Sequence, residues 1–204
     1  MPLATFYNLA DAKRKQFLKA AYQEFALNSF AAASVTNLVK TLGIAKGSVY
    51  QYFTDKEDLH RFLATEANNR LGRLLDEACP YEGEDFFAWY TKLLLVEVKF
   101  YLSFPHYALL FRQLPGETGP QQKALARELA TARLERISAH LPATLYGSPA
   151  NNLLLSRAGL LIFEMLTQEL NLGETIARGE AVYLEAKELV AVCSGWVKKL
   201  KYGL

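Results

Sequence analysis

The chain has 204 residues, 51% hydrophobic and 22% charged, with 23 Lys and Arg against 21 Asp and Glu; this excludes a disordered chain and allows one or two domains. No apolar run approaches the roughly 18 residues of a membrane span, residues 158–163 forming one of the longest. The start, MPLATFYNLADAKRKQF, lacks the continuous apolar stretch of a signal peptide, and Cys79 and Cys193, 114 positions apart, fit a reducing compartment, so a soluble cytoplasmic protein is expected.

The charge is uneven. Residues 13–56 hold seven basic side chains (Lys13, Arg14, Lys15, Lys19, Lys40, Lys46, Lys56) against Glu24 and Asp55, a net of +5, while the rest of the chain carries −3. A basic segment on a slightly acidic body suits contact with a polyanion, although the solvated face of an ordinary helical protein gives the same count. No segment shows sustained two-residue alternation, whereas a 3.6-residue period recurs, so the fold class is all-α. Gly and Pro clusters at 80–83, 105, 115–120, 142–149 and 171–173 cut the chain into about nine helices.

Residues 35–53 read VTNLVKTLGIAKGSVYQYF. Val35, Leu38, Val39 and Leu42 form the inner face of a short helix, with Ser34 placed to cap it. Gly43 supplies the left-handed residue that ends it. Ile44, Val49 and Phe53 continue the apolar contacts, so a second short helix crosses the first, the shape of a helix-turn-helix. Its solvent side carries Lys46, Gly47, Ser48, Tyr50, Gln51 and Tyr52. Gly47 near a helix start costs about 1 kcal/mol relative to Ala, and a missing side chain lets a backbone approach another surface closely. The run Thr54-Asp55-Lys56-Glu57 has capping-box spacing and, with Lys56, reads as a phosphate site at a helix start.

The single domain boundary falls in the long helix after Lys56, giving residues 1–56 and 57–204. Along that helix Leu59, Leu63, Ala67, Leu71, Leu74 and Ala78 form one stripe. Residues 86–111 hold nine aromatics, among them Phe86, Trp89, Tyr90, Phe100, Phe104, Tyr107 and Phe111, with His106 beside them. They read either as core or as the lining of an apolar cavity. Ala126, Ala130, Leu134, Ile137 and Leu141 form a further stripe. Residues 152–170 are apolar on nearly every side, which requires burial on two sides. Val182, Ala186, Leu189, Cys193, Trp196 and Leu200 alternate four and three apart, the spacing of a helix lying along a partner. Two such helices from each of two chains would build a four-helix bundle, with Leu154, Leu161, Met165, Leu189 and Trp196 in the interface.

The segment Gly43-Ile44-Ala45-Lys46-Gly47-Ser48-Val49-Tyr50-Gln51-Tyr52-Phe53, followed by Lys56-Glu57-Asp58-Leu59, resembles the tetracycline-repressor (TetR) family of bacterial regulators. The resemblance covers about the first quarter of the chain. It implies a lead-in helix at 11–28 with Phe17, Ala21 and Phe25 under the motif, and a larger C-terminal helical domain for ligand binding and dimerisation. Carried over, Thr36, Lys46, Gly47 and Gln51 face base edges, and Ser48, Tyr50, Tyr52 and Lys56 hold phosphates, with Ser34 a further candidate. It also implies a homodimer on a near-palindromic operator, half-sites roughly 34 Å apart, and a small, largely apolar or planar effector in the aromatic region. The chain departs from the family pattern at Ala45, usually a capping residue; at Ala33, often a phosphate-binding Thr; and at Val39 and Leu42, where a small Ala is common.

Two other classes compete with this resemblance. Glu57-x-x-His60 is half of a helical di-iron pattern without its second copy, so Glu57 and His60 read as cap and surface residues. With no phosphate loop, nucleophile elbow or zinc spacing, neither enzyme nor cofactor is expected. A helical ligand-binding or adaptor protein without DNA binding is the alternative to a DNA-binding regulator, and salt-dependent DNA binding distinguishes the two.

Overall fold

A computed structural model describes residues 1–140 and 149–202, with side chains in the second stretch from 155 onward. The described residues are helical, without a strand. In the first half lie α1 (Ala4–Tyr7), α2 (Asp11–Leu27), α3 (Val35–Leu42), α4 (Lys46–Tyr50), α5 (Lys56–Ala78) and α6 (Phe86–Ser103). There follow α7 (Pro105–Gln113), a 3-10 turn at Leu114–Gly116, α8 (Pro120–Ser138), α9 (Pro149–Glu169), α10 (Gly173–Ala177) and α11 (Ala186–Tyr202). The count exceeds the sequence expectation by two because α1 and α10, four and five residues long, are too short to show a period. Pro105, Pro120 and Pro149 each open a helix, where the absent N–H costs nothing.

The chain divides into two compact units, one of Met1–Asn68 with His106–Ala126, the other of Asn69–Pro105 with Arg127–Leu204. The chain passes from one unit to the other within α5, after Pro105 at the start of α7, and within α8. In the first unit Phe17 and Phe25 of α2 pack with Val35, Leu38, Val49, Phe53, Leu59 and Leu63, all buried. The Phe17 and Phe53 rings stack at 5.9 Å. The Tyr22 hydroxyl donates to the Leu63 carbonyl at 2.9 Å.

In the second unit α6 packs against both α9 and α11. It is accordingly buried around most of its circumference, with Trp89, Tyr90, Leu93, Leu94, Val98, Phe100 and Tyr101 all inside. Among them sits a carboxylate. Glu97, 2% exposed, pairs with the Arg133 guanidinium of α8 and accepts the Tyr101 hydroxyl at 2.8 Å. Arg133 in turn donates to that hydroxyl at 2.6 Å. Burial pushes the Tyr90 and Tyr101 hydroxyls up and holds Arg133 down at about 10. Gly159 of α9 lies against the Glu97 carboxylate, where any Cβ would overlap it.

Three apolar stripes keep part of the expected series, Leu59 to Leu71, Ile137, and Leu189 with Cys193, and depart from it elsewhere. On α5 the buried series continues from Leu71 to Leu75 and Cys79, leaving Leu74 37% exposed. On α8 it is Leu125, Leu129 and Ile137 with Arg133 between them, because the charged member at the fourth-residue spacing broke the apolar pattern. Leu141 lies outside the described residues. On α11 the buried residues are Leu189, Cys193 and Val197, with Trp196 half-buried beside them; Val182 precedes the helix and donates its N–H to Leu102 at 2.8 Å. Of the expected interface residues, Leu189 is buried within its own chain, while Leu161, Met165 and Trp196 are half-buried. Leu154 lies on α9, but its side chain is outside those described.

Glu97→Ala leaves the Arg133 charge buried without its counter-ion and is expected to destabilise the fold by about 3–5 kcal/mol, read from urea unfolding. Glu97→Gln, which retains an acceptor, is expected to cost less.

Candidate nucleic-acid interface

The site begins with a short loop, NSFAAAS, that has no helical hydrogen-bond ladder of its own. Between α2 and α3, residues 28–34 place their backbone groups against side chains from other segments. Lys56 donates from Nζ to the Phe30 carbonyl at 2.7 Å and the Ala33 carbonyl at 3.1 Å, its ammonium 4.4 Å from the Phe30 ring centroid. Glu117 accepts the Phe30 N–H at 2.6 Å, and Glu24 accepts the Ser34 N–H at 2.8 Å. His60 lies between the Phe25 and Phe30 rings, with centroids at 5.4 and 5.1 Å. It is 3% exposed, so the surface placement expected for it is corrected: the two aromatic rings enclose it.

From this loop the chain enters α3. Ser34, in extended conformation, accepts from Thr36 N at 3.2 Å and Asn37 N at 3.4 Å, satisfying two of the donors a helix start leaves over. Gly43, at φ 65°, ends the helix in the left-handed region, and its N–H and that of Ile44 close back on Lys40 and Val39. Helix α4 then starts at Lys46 with Ala45 as an N-cap that offers no side-chain hydrogen bond. Val49 and Phe53, 1% and 0% exposed, anchor it to the core.

That anchoring turns one face outward. Thr36, Lys46, Gly47, Tyr50 and Gln51 are exposed; Ser34, Ser48, Tyr52 and Lys56 are half-buried. A Cβ at Gly47 would meet nothing within 4 Å, so the fold itself gives no reason for glycine there. Tyr52 lays its ring edge-on to Phe17 at 5.7 Å. The structure thus gathers the candidate DNA-contacting residues of α3 and α4, and it places Lys56 on the loop beneath them.

The capping box lies one residue later than its expected position. Asp55 accepts the Asp58 N–H at 2.7 Å, and Asp58 accepts from Thr54 N and its hydroxyl, both at 3.2 Å. Asp is as good a cap as Thr, so the run allowed either register. With Lys56 committed to the loop and three carboxylates, Asp55, Glu57 and Asp58, around a cleft of about 200 Å³, this helix start is acidic.

The eight aromatic-region residues fall in different units. Phe86, Trp89, Tyr90, Phe100 and Phe104 belong to the second, and His106, Tyr107 and Phe111 to the first. In the second unit Phe86 and Tyr90 stack at 5.6 Å, Trp89 donates to the Cys79 carbonyl at 2.9 Å, and the Arg70 guanidinium covers Phe104 at 4.3 Å. In the first, the Tyr107 and Tyr22 centroids are 4.4 Å apart. A cavity of about 10 Å³ lined by Leu75, Tyr90, Leu93, Glu97, Arg133, Arg136, Ile137, Leu155 and Ser156 has room for about one water. Sequence reasoning missed Arg133; the only signal was a cation at the fourth-residue spacing of an apolar series. Among the described residues no group of three or more His, Cys, Asp or Glu is placed to hold a metal ion. No single described helix is long and apolar enough to cross a membrane.

Three short helices whose last presents a polar, glycine-containing face beside two buried anchors define a helix-turn-helix domain. Residues 17–61 match the family model of bacterial regulatory proteins, tetR family. The chain is 29% identical over 129 residues to the uncharacterized HTH-type transcriptional regulator YdgC of Bacillus subtilis, covering 62% of this chain and 64% of that protein. It is 31% identical over 77 residues to the HTH-type transcriptional repressor AcnR of Corynebacterium diphtheriae, covering 38% and 40%. The matches thus span less than two thirds of either relative. A TetR-family transcriptional regulator from Chloroflexus aurantiacus shares the fold with a TM-score of 0.64 at 22% identity, over 96% of this chain and 97% of that one. So does the transcriptional regulator FadR from Bacillus subtilis in complex with stearoyl-CoA, with 0.63 at 16% identity over 93% and 98%. Residues 17–61 are thus similar to the helix-turn-helix domain of the tetR family of bacterial regulatory proteins, and the whole chain shares its fold with solved regulators.

Lys56→Met removes two charge-assisted hydrogen bonds and is expected to destabilise the protein by about 2 kcal/mol in urea unfolding, while Lys46→Met shifts it by less than about 0.5 kcal/mol. Burial, and secondarily the Lys56 charge, hold the His60 imidazole down at about 4. The unfolded chain takes up this proton near pH 6.5 and the folded chain does not, so stability falls as pH drops from 6.5 toward 4. His60→Phe is expected to flatten that part of the pH–stability curve, measured as urea midpoints between pH 7 and 4.5.

Proposed function

We propose that the chain is a homodimeric transcriptional regulator, a repressor, that binds a near-palindromic double-stranded DNA operator and is released by a small effector. The observation that carries this is the outward face of α4. Lys46, Gly47, Tyr50 and Gln51 are exposed there, and Gly47 has open space where a side chain would be. A helix that lacks a side chain at its second residue can bring its backbone within contact distance of a duplex. Thr36, Lys46, Gly47 and Gln51 read base edges; Ser48, Tyr50 and Tyr52 fix the phosphates. Ser34 and Lys56 contribute at the flank, Lys56 by shaping the loop before α3 as well as by its charge.

Helices α9 and α11 form the dimer contact through Leu154, Leu161, Met165 and Trp196, with Leu189 behind them. The resulting twofold sets two recognition helices about one DNA turn apart. The effector is apolar or planar and enters the helical core of the second unit. FadR, a structural neighbour, is described in complex with stearoyl-CoA. The small cavity beside Tyr90, Glu97 and Arg133 means that binding a larger molecule there parts α6, α8 and α9, and this difference between two packings is what couples effector to DNA. A coupling of about 1–3 kcal/mol suffices for release. Helix α5, which contributes residues to both units, transmits it.

Selection of a random double-stranded library on the purified protein tests the reading. A palindromic winner with a steep salt dependence is expected, and absence of enrichment with folded protein overturns it. With the winner in hand, substitutions at Thr36, Lys46 and Gln51 are expected to change which sequence is preferred, while Tyr50→Phe weakens binding to all sequences alike.

A further inference from the structure

The recognition helix is short of internal support. It has five residues, no side-chain cap at Ala45, and a glycine at its second position. Such a segment does not hold its own geometry, since a helix this short has too few internal hydrogen bonds to offset nucleation. The support comes from residues 3–6. Just past the end of α4, the carbonyls of Gln51 and Tyr52 are both taken by this segment: the Thr5 hydroxyl donates to Gln51 O, and the Leu3 N–H donates to Tyr52 O at 2.8 Å. Phe6, 1% exposed, places its ring 5.1 Å from Phe53, 6.2 Å from Tyr52, 5.8 Å from Phe17 and 5.5 Å from Phe62. The matched family domain begins at residue 17, so these residues lie outside it.

We infer that residues 3–6 form a positioning segment that caps the C-terminal end of the recognition helix and fixes its angle for sequence-specific DNA reading. The inference rests on α4 being the reading element and goes beyond it by assigning the device that holds α4 in place. Phe6 supplies the anchor in the core, and Leu3 and Thr5 supply the two polar contacts that set the end of the helix.

Two substitutions remove those contacts while leaving the anchor. Leu3 sits at φ −72°, close to the angle proline imposes, so Leu3→Pro deletes the donor with little backbone change. Thr5→Val deletes the hydroxyl at nearly constant volume. In the double variant of the full chain, hydrogen exchange of the 48–53 amides, measured without DNA, is expected to lose about tenfold in protection while the urea midpoint barely moves. Affinity for the selected operator is expected to fall about tenfold, with binding to scrambled DNA and its salt slope unchanged, and Thr5→Ser is expected to behave as wild type. Unchanged exchange, or an equal fall on operator and scrambled DNA, overturns the inference. Loss of exchange protection in a protein that selects no DNA sequence leaves the cap standing as a structural contact and overturns its DNA-reading role together with the proposed function.

Discussion

Everything on the outward face depends on the ammonium of Lys56. The loop before α3 must expose or satisfy several backbone groups within a few residues, and an unsatisfied buried carbonyl costs about 1–3 kcal/mol. Lys56 takes two of those carbonyls and lies against the Phe30 ring, while Glu117 and Glu24 take two of the N–H groups. With the loop closed, Ser34 meets the start of α3 in extended conformation and caps it. Gly43 then turns the chain, and Val49 and Phe53 determine which side of α4 faces the core. The direction in which Lys46 and Gln51 point is the last step in that sequence of constraints.

Much of the helix-turn-helix unit was legible in the sequence because its determinants are local. A serine before a helical apolar series, a glycine after the last turn and two spaced anchors each have a short-range physical meaning, and each takes that role here. The role of Lys56 was not legible. Its partners are 23 and 26 positions away, and a lysine beside a helix start reads equally as an anion site or as a tether. His60 posed the same problem, since a polar residue on a charged helical turn reveals nothing of the rings that enclose it. The first-turn cap was recognised as to kind and displaced by one residue because Thr54 and Asp55 are both capping types.

The second unit was legible in composition and less so in detail. A continuous apolar helix and an aromatic run announce a core, yet periodicity misses a buried charge at the spacing where an apolar residue is expected. Arg133 is such a case, and it shifted the reading of α8 by one position. The same buried pair explains why α9 carries glycine opposite Glu97: a carboxylate drawn into a helix contact needs room that a methyl group would fill. Aromatic density could not separate lining from filling, because a stacked pair such as Phe86 and Tyr90 and an open pocket have the same sequence signature.

The open space over Gly47 has an evolutionary consequence. Thr36, Lys46, Gly47, Tyr50 and Gln51 are exposed, so replacing them leaves the packed interior almost untouched, whereas Val49 and Phe53 are enclosed on all sides. Natural chains persist only a little above the stability they need. A face whose chemistry can vary without approaching that limit can diverge after gene duplication while the scaffold stays under selection. Homologues of this chain are therefore expected to share the anchors and differ most at these five positions.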